Sequence, residues 1–156
     1  MNRAVLVCHC LLNPLTRAQG TKKLSRDIIT VLIRKDIGII QLPCPEITYG
    51  LPVDRPPRNK EDLDTPEYRE HCRGIALTII NTVVSLDQDF TVFGLISVGG
   101  SPSCGFQRTH IRGEHSSEPG IFMEEFVSLF EEKGFKITVC DHELLEVESQ
   151  REKFLL

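Results

Sequence analysis

The chain has 156 residues, 40% hydrophobic and 26% charged, with a formal net charge of -4 at pH 7. That length suits one domain, residues 1–156, with a core of its own, and the composition is too apolar for disorder and too polar for membrane insertion. Acidic and basic residues are interspersed, so there is no broad cationic field for a nucleic acid polymer or an anionic lipid, and a small polar ligand remains as the partner class.

The opening stretch MNRAVLVCHCLL carries a short apolar run without the length of a membrane span or the small-residue cleavage site of a signal peptide. A cytoplasmic location is the expectation. Six cysteines in such a chain are then read as thiols, metal ligands or catalytic groups and not as a disulfide framework.

The first element is AVLVC, residues 4–8, whose continuous apolar character predicts a central strand covered on both faces. After a loop through Asn13, Pro14 and Gly20, Ser25 is a candidate N-cap for a helix from Arg26 to Lys35. A second strand, Ile37 to Leu42, stops at Pro43 and Pro45. The proline-rich segment between Gly50 and Pro66 reads as a loop folded over another part of the chain.

Thr65 and Pro66 mark the next helix start, and Tyr68, Cys72, Ile75, Ile79, Val83 and Leu86 recur at helical spacing with that stripe inward. A third buried strand runs from Phe90 to Ser97, followed by a glycine-bearing turn and the polar loop FQRTHIRGEHSSEPG. Ile121 to Lys133 is a helix with Phe122, Phe126, Leu129 and Phe130 on one face and Gly134 as its left-handed cap. FKITVC gives a fourth strand and HELLEVESQREKF a closing helix. Alternating strands and helices predict an α/β fold: a single-domain, three-layer, Rossmann-like sandwich with a mainly parallel sheet and right-handed crossovers.

In such sheets ligands bind beyond the carboxyl ends of the strands. Cys8 and Cys10 follow the first strand, Cys44 the second and Cys104 the third, so these thiols share one edge. No local CxxC knuckle exists, and folding alone would assemble the site. Soft thiolates select zinc, copper(I) or an iron-sulfur cluster. Cys72, on an apolar helical stripe, reads as core, and Cys140, at the end of the fourth strand, is assigned a structural role.

The neighbours strengthen the site. Proline beside the thiol in PCPE and SPSCG pre-orients the backbone, and Gly99, Gly100 and Gly105 permit close approach to a cluster or an anion. Glu46 places a carboxylate two residues beyond Cys44, where burial would suit it to acid/base work. Ser101 and Ser103 are hydrogen-bond donors to a substrate or caps of the turn. GGSPS is not the GxSxG nucleophile elbow, which argues against a serine triad. His9, His110 and His115 read as exposed loop histidines.

Three segments, CHCLLN at 8–13, PCPEITYGLPVDRPP at 43–57 and GGSPSCG at 99–105, resemble the signatures of the 2-thiouracil desulfidase family, in order and spacing, over nearly the whole chain. The resemblance implies a [4Fe-4S] cluster held by Cys10, Cys44 and Cys104, with one iron open to the sulfur of a thiolated small-molecule substrate. It implies that Glu46 activates water or moves a proton and that Ser101 positions the substrate, in a reaction without redox change. Cys10, which aligns and lies just past the strand, is taken as the first ligand in place of Cys8. His9, Asn13 and NPLTRAQG replace the residues usual in the family and mark a divergent member with its own substrate. A non-catalytic iron-sulfur or zinc-binding module for sulfur handling or sensing would use the same cysteines without a substrate pocket, and a zinc hydrolase would keep the site and change the metal.

Overall fold

The structure is a computed structural model that describes residues 2–86 and 89–156. Its framework is a four-stranded sheet in which every pairing is parallel. β1 (Arg3–Val7) lies between β2 (Gly38–Gln41) and β3 (Thr91–Ser97), with β6 (Thr138–Asp141) on the outer side of β3. Val5 pairs with Ile39 on one side and, past an irregularity at Ala4/Val5, Leu6 pairs with Leu95 on the other. β1 is the central strand its apolar run predicts, and the mainly parallel α/β sandwich is the fold observed.

Helices cover both faces. α1 (His9–Leu12) and a 3-10 turn (Pro14–Thr16) follow β1, and α2 (Asp27–Arg34) makes the crossover to β2. α2 starts one residue later than expected, because Arg26 occupies the cap position and Ser25 Oγ accepts only the Asp27 N–H, at 3.5 Å. α3 (Pro45–Tyr49), α4 (Lys60–Leu63) and the long α5 (Pro66–Leu86) separate β2 from β3. α5 begins as expected: Thr65 Oγ1 accepts the Tyr68 N–H at 3.1 Å and Pro66 fills the first turn. Its buried face is Tyr68, Cys72, Ala76, Ile79, Ile80 and Val83. α6 (Ile121–Glu132) packs on α5 and buries Phe122, Phe126, Leu129 and Phe130 as its spacing predicts, with Gly134 at φ +82 beyond its end.

Two loop assignments and one helix are corrected. The segment 50–66 contains α4, which closes a capping box between Asn59 and Asp62. FQRTHIRGEHSSEPG contains the hairpin β4 (Thr109–Ile111) and β5 (Glu114–Ser116), whose Arg112-Gly113 turn has φ +52 and +77. The closing helix is broken into a 3-10 turn, His142–Glu146, and α7 (Glu148–Leu155). β6 is also shorter than FKITVC, since Gly134 and Phe135 still bond back to α6, through Glu131 O and Phe130 O.

Val5, Leu6, Val7, Leu95, Ile96, Phe122 and Phe126 are fully buried between the layers, each apolar side chain stabilising the fold by about 1.5–3 kcal/mol before entropy is counted. Among the described residues no helix is long and apolar enough to cross a membrane. The sheet presents the ends of β1, β2 and β3 at one edge, where the backbone bonds of Cys8 N to Ile96 O (3.1 Å) and Leu42 N to Val7 O (2.8 Å) hold the three exits together.

A three-cysteine cavity as candidate active site

Each exit delivers one cysteine. Cys10 is the second residue of α1, Cys44 caps α3 ahead of Pro45, and Cys104 closes the turn after β3. All three line one cavity of about 100 Å³, together with Glu46, Ser101, Arg17, Arg55, Arg58 and His110. Cys8 lies outside it, buried in the core. Cys72 is fully buried in the core beneath α5, and Cys140 lies on β6 away from the cavity, its Sγ directed to the Asp141 carbonyl at 3.7 Å.

The Cys104 turn is held by its own backbone and by α6. Val98 N donates to Cys104 O at 3.0 Å, Gly105 N to Ser101 O at 3.0 Å, and the Cys104 N–H to Ser101 Oγ at 3.0 Å. The first N–H groups of α6 find their acceptors here, Ile121 N on Pro102 O (3.0 Å) and Met123 N on Ser103 O (3.2 Å), so the turn caps the helix that Gly120 leaves uncapped. Gly100 sits at φ +90, and a Cβ on Gly105 would lie 2.3 Å from the Arg108 carbonyl.

Behind the turn stands Asp141, fully buried at the end of β6. Its Oδ1 accepts from Ser97 Oγ (2.6 Å) and Phe106 N (2.9 Å), and its Oδ2 from Gln107 N (2.8 Å) and Arg108 N (2.9 Å). Burial raises this carboxyl above its usual range, while the same four donors pull it down.

Glu46 is neither loose nor solvated: it is 8% exposed. Oε1 accepts from Arg55 Nε at 3.0 Å and Oε2 from Ser103 Oγ at 3.2 Å. Ser103 has one proton to give, so the Tyr68 hydroxyl, 2.7 Å away, donates to it in turn. Ser101 lines the cavity but caps the turn, and Ser103 is the serine bonded to the carboxylate. Arg55 is itself 4% exposed and also donates to Thr16 O at 3.0 Å, tying Glu46 to the loop after α1. Sequence reading did not single out Arg55, Tyr68 as a polar group, or Asp141. An arginine directly ahead of two prolines in VDRPP and an aspartate at a strand end on the ligand-binding edge were the available signals.

The electrostatics show what the cavity disfavours. Burial, with Cys104 and Cys44 nearby, pushes the Cys10 thiol up to about 12, with Arg17 opposing. Burial and Cys104 raise Cys44, and the Cys8 hydrogen bond together with burial raises Cys104 well above its ordinary value. Three adjacent thiols cannot ionise together here without a cation among them.

Among the described residues no three His, Cys, Asp or Glu side chains converge on one point as a mononuclear metal requires. A cluster offers several iron atoms, so its thiolates need to share a cavity and not a point. The donor set, three soft thiols from three strand ends on one cavity, fits such a group.

The histidines divide. His9 Nδ1 lies 3.1 Å from Gln41 Nε2 on the outside of α1. His110 reaches the cavity wall and stacks on His115, ring centroids 4.4 Å apart. His142, buried, accepts the Gly99 N–H on Nδ1 at 3.4 Å, and burial holds its ring below the ordinary histidine value.

No family model matches the chain. The chain belongs to the same family as the uncharacterized protein MJ0003 of Methanocaldococcus jannaschii, with 32% identity over 143 residues that make up 90% of this chain and 85% of that protein. Among solved structures it is similar to the [4Fe-4S]-dependent thiouracil desulfidase TudS, with a TM-score of 0.64 and 20% identity over 99% of this chain and 100% of that one. At that identity the likeness shows the shared fold.

Proposed function

We propose that this protein is an iron-sulfur desulfidase, a single domain acting in the cytoplasm on a small thiocarbonyl compound of thiopyrimidine type. The observation that carries the reading is that Cys10, Cys44 and Cys104 share one cavity with the buried carboxylate of Glu46. The common fold with a desulfidase named for its [4Fe-4S] dependence supports it. Cys10, Cys44 and Cys104 would hold the [4Fe-4S] cluster, leaving one iron without a protein ligand.

When bound, that cluster supplies a soft Lewis acid for the thiocarbonyl sulfur. The chain supplies the rest. Overall, a C=S compound and water become the C=O compound and hydrogen sulfide, with no change of oxidation state. Glu46 takes the proton of the attacking water on a carboxylate oxygen and returns it to the departing sulfur. Arg55 and Ser103 fix that carboxylate from opposite oxygens, so it faces the cavity without reorganisation. Ser101, on the cavity wall beside Cys104, orients the heterocycle. The partly buried cavity limits bulk water.

Anaerobic incubation of the cluster-loaded protein with 2-thiouracil, assayed for sulfide and for uracil, tests the reading. Equal amounts of both products are expected. Cluster-loaded protein that releases neither from any thiopyrimidine contradicts it and leaves a cluster-binding module without catalysis.

A further inference from the structure

Three arginines line the three-cysteine cavity, and the fold employs the guanidinium groups of two of them. Arg55 is bound to Glu46 and Thr16 O. Arg17 donates to the Lys22 carbonyl and lies against Cys10. Arg58 is half-buried on the same cavity and, among the described residues, has no hydrogen-bond or ion-pair partner. The one carboxylate on the cavity wall, Glu46, is already engaged. A guanidinium in this position loses part of its hydration with no protein acceptor to replace it.

The backbone around Arg58 is nevertheless fixed. Three residues earlier Arg55 is anchored, and its carbonyl accepts Gln19 N at 2.8 Å. One residue later Asn59 Oδ1 accepts the Gly113 N–H at 2.8 Å, and Lys60 then reaches Glu118 at 2.5 Å. A tethered segment therefore places on the cavity an arginine whose guanidinium no protein acceptor engages, so its N–H donors are available to a ligand.

We propose that Arg58 is a specificity-determining residue whose guanidinium binds an oxygen acceptor of the substrate and so aims the thiocarbonyl at the cysteines. The assignment rests on the desulfidase reading for the sulfur chemistry but not for the oxygen contact. Guanidinium only donates, and its planar fork matches a carbonyl or carboxylate edge. The substrate class is thus an oxo-substituted or carboxylated thio-heterocycle, and a plain cyclic thioamide lacks the group that Arg58 reads.

The test compares wild type, Arg58→Gln and Arg58→Lys, matched in cluster content and thermal midpoint. The probes are 2-thiouracil, 6-carboxy-2-thiouracil, 2-thiopyridone and uracil, measured by calorimetric affinity and by KM for sulfide release. Arg58→Gln is expected to weaken 2-thiouracil and uracil by about tenfold or more, the loss of a charge-assisted hydrogen bond. It should leave 2-thiopyridone nearly unchanged, and Arg58→Lys should restore part of the loss. A loss confined to the carboxylated compound assigns the contact to an anion, and a loss shared by 2-thiouracil assigns it to the ring carbonyl. Equal effects on all four probes, or none, overturn the proposal. Arg58-dependent binding of uracil without sulfide release from any probe keeps the Arg58 contact and refutes the desulfidase, and sulfide release with KM unchanged in Arg58→Gln does the reverse. Wild type that binds none of the four overturns both.

Discussion

Asp141 Oδ1 accepts the Ser97 hydroxyl at 2.6 Å across the β3–β6 pair, with both side chains fully buried. The same carboxylate takes three consecutive backbone N–H groups, Phe106 to Arg108, from the segment that leaves the Cys104 turn. One buried carboxylate thereby fixes the third cysteine relative to the sheet.

Asp141→Ala leaves those N–H groups without acceptors in the interior. Unfolding in denaturant should show a loss of about 3 kcal/mol or more, with Asp141→Asn intermediate because it keeps one acceptor oxygen. Iron retained per folded chain should fall in parallel. A variant as stable as wild type with full iron would remove Asp141 from this role.

Glu46 and the two serines separate catalysis from turn building. Glu46→Gln should keep cluster and fold while sulfide release drops by about a hundredfold to ten-thousandfold, the range for a lost general base. Ser103→Ala, which removes the hydroxyl on Glu46 Oε2, should lower turnover with iron content preserved. Ser101→Ala removes the acceptor of the Cys104 N–H and should lower both. Identical behaviour of the two serine variants would contradict the geometry.

Acid should weaken the fold through His142. Its buried ring titrates below the ordinary value of 6.5, so below that pH the unfolded chain takes up a proton that the folded chain refuses. The stability it contributes is present in full above pH 6.5 and is lost as pH falls through the folded value, at up to about 1.4 kcal/mol per pH unit. Denaturation midpoints at pH 7.5 and 5.5 should differ more for wild type than for His142→Gln. A larger pH dependence in the variant would show the sign to be wrong.

Gly105 is a steric requirement of the turn. A methyl group there would meet the Arg108 carbonyl at 2.3 Å and the Ser101 carbonyl at 2.8 Å. Gly105→Ala should displace the turn and cost both thermal stability and iron binding, because backbone atoms cannot move aside as a flexible side chain can. A wild-type melting temperature and iron content in that variant would refute the packing argument.

The strands and the long helices were legible because their signals are local: β1 reads as buried from AVLVC, and the phenylalanine spacing of α6 gives its inner face. The strand ends alone brought Cys8, Cys10, Cys44 and Cys104 to one edge, and the choice of Cys10 over Cys8 came from the family resemblance and its place just past the strand. Other features depend on partners distant in sequence. The β4–β5 hairpin has three residues per strand and is pinned from outside, Arg112 N on Glu61 and Gly113 N on Asn59. The Glu46–Arg55–Ser103–Tyr68 set spans four segments, and no periodicity records such a meeting. That Ser103 bonds the Glu46 carboxylate while Ser101 caps the Cys104 turn depends on side-chain directions that GGSPSCG does not carry.

The most direct test of the account is the iron and acid-labile sulfide content per chain after anaerobic purification or reconstitution, measured for wild type and for Cys10→Ala, Cys44→Ala, Cys104→Ala and Cys8→Ala. The account predicts about four of each per wild-type chain, lost in the first three variants and kept in Cys8→Ala. Wild type that acquires no cluster, or a Cys104→Ala variant with full iron, would contradict it.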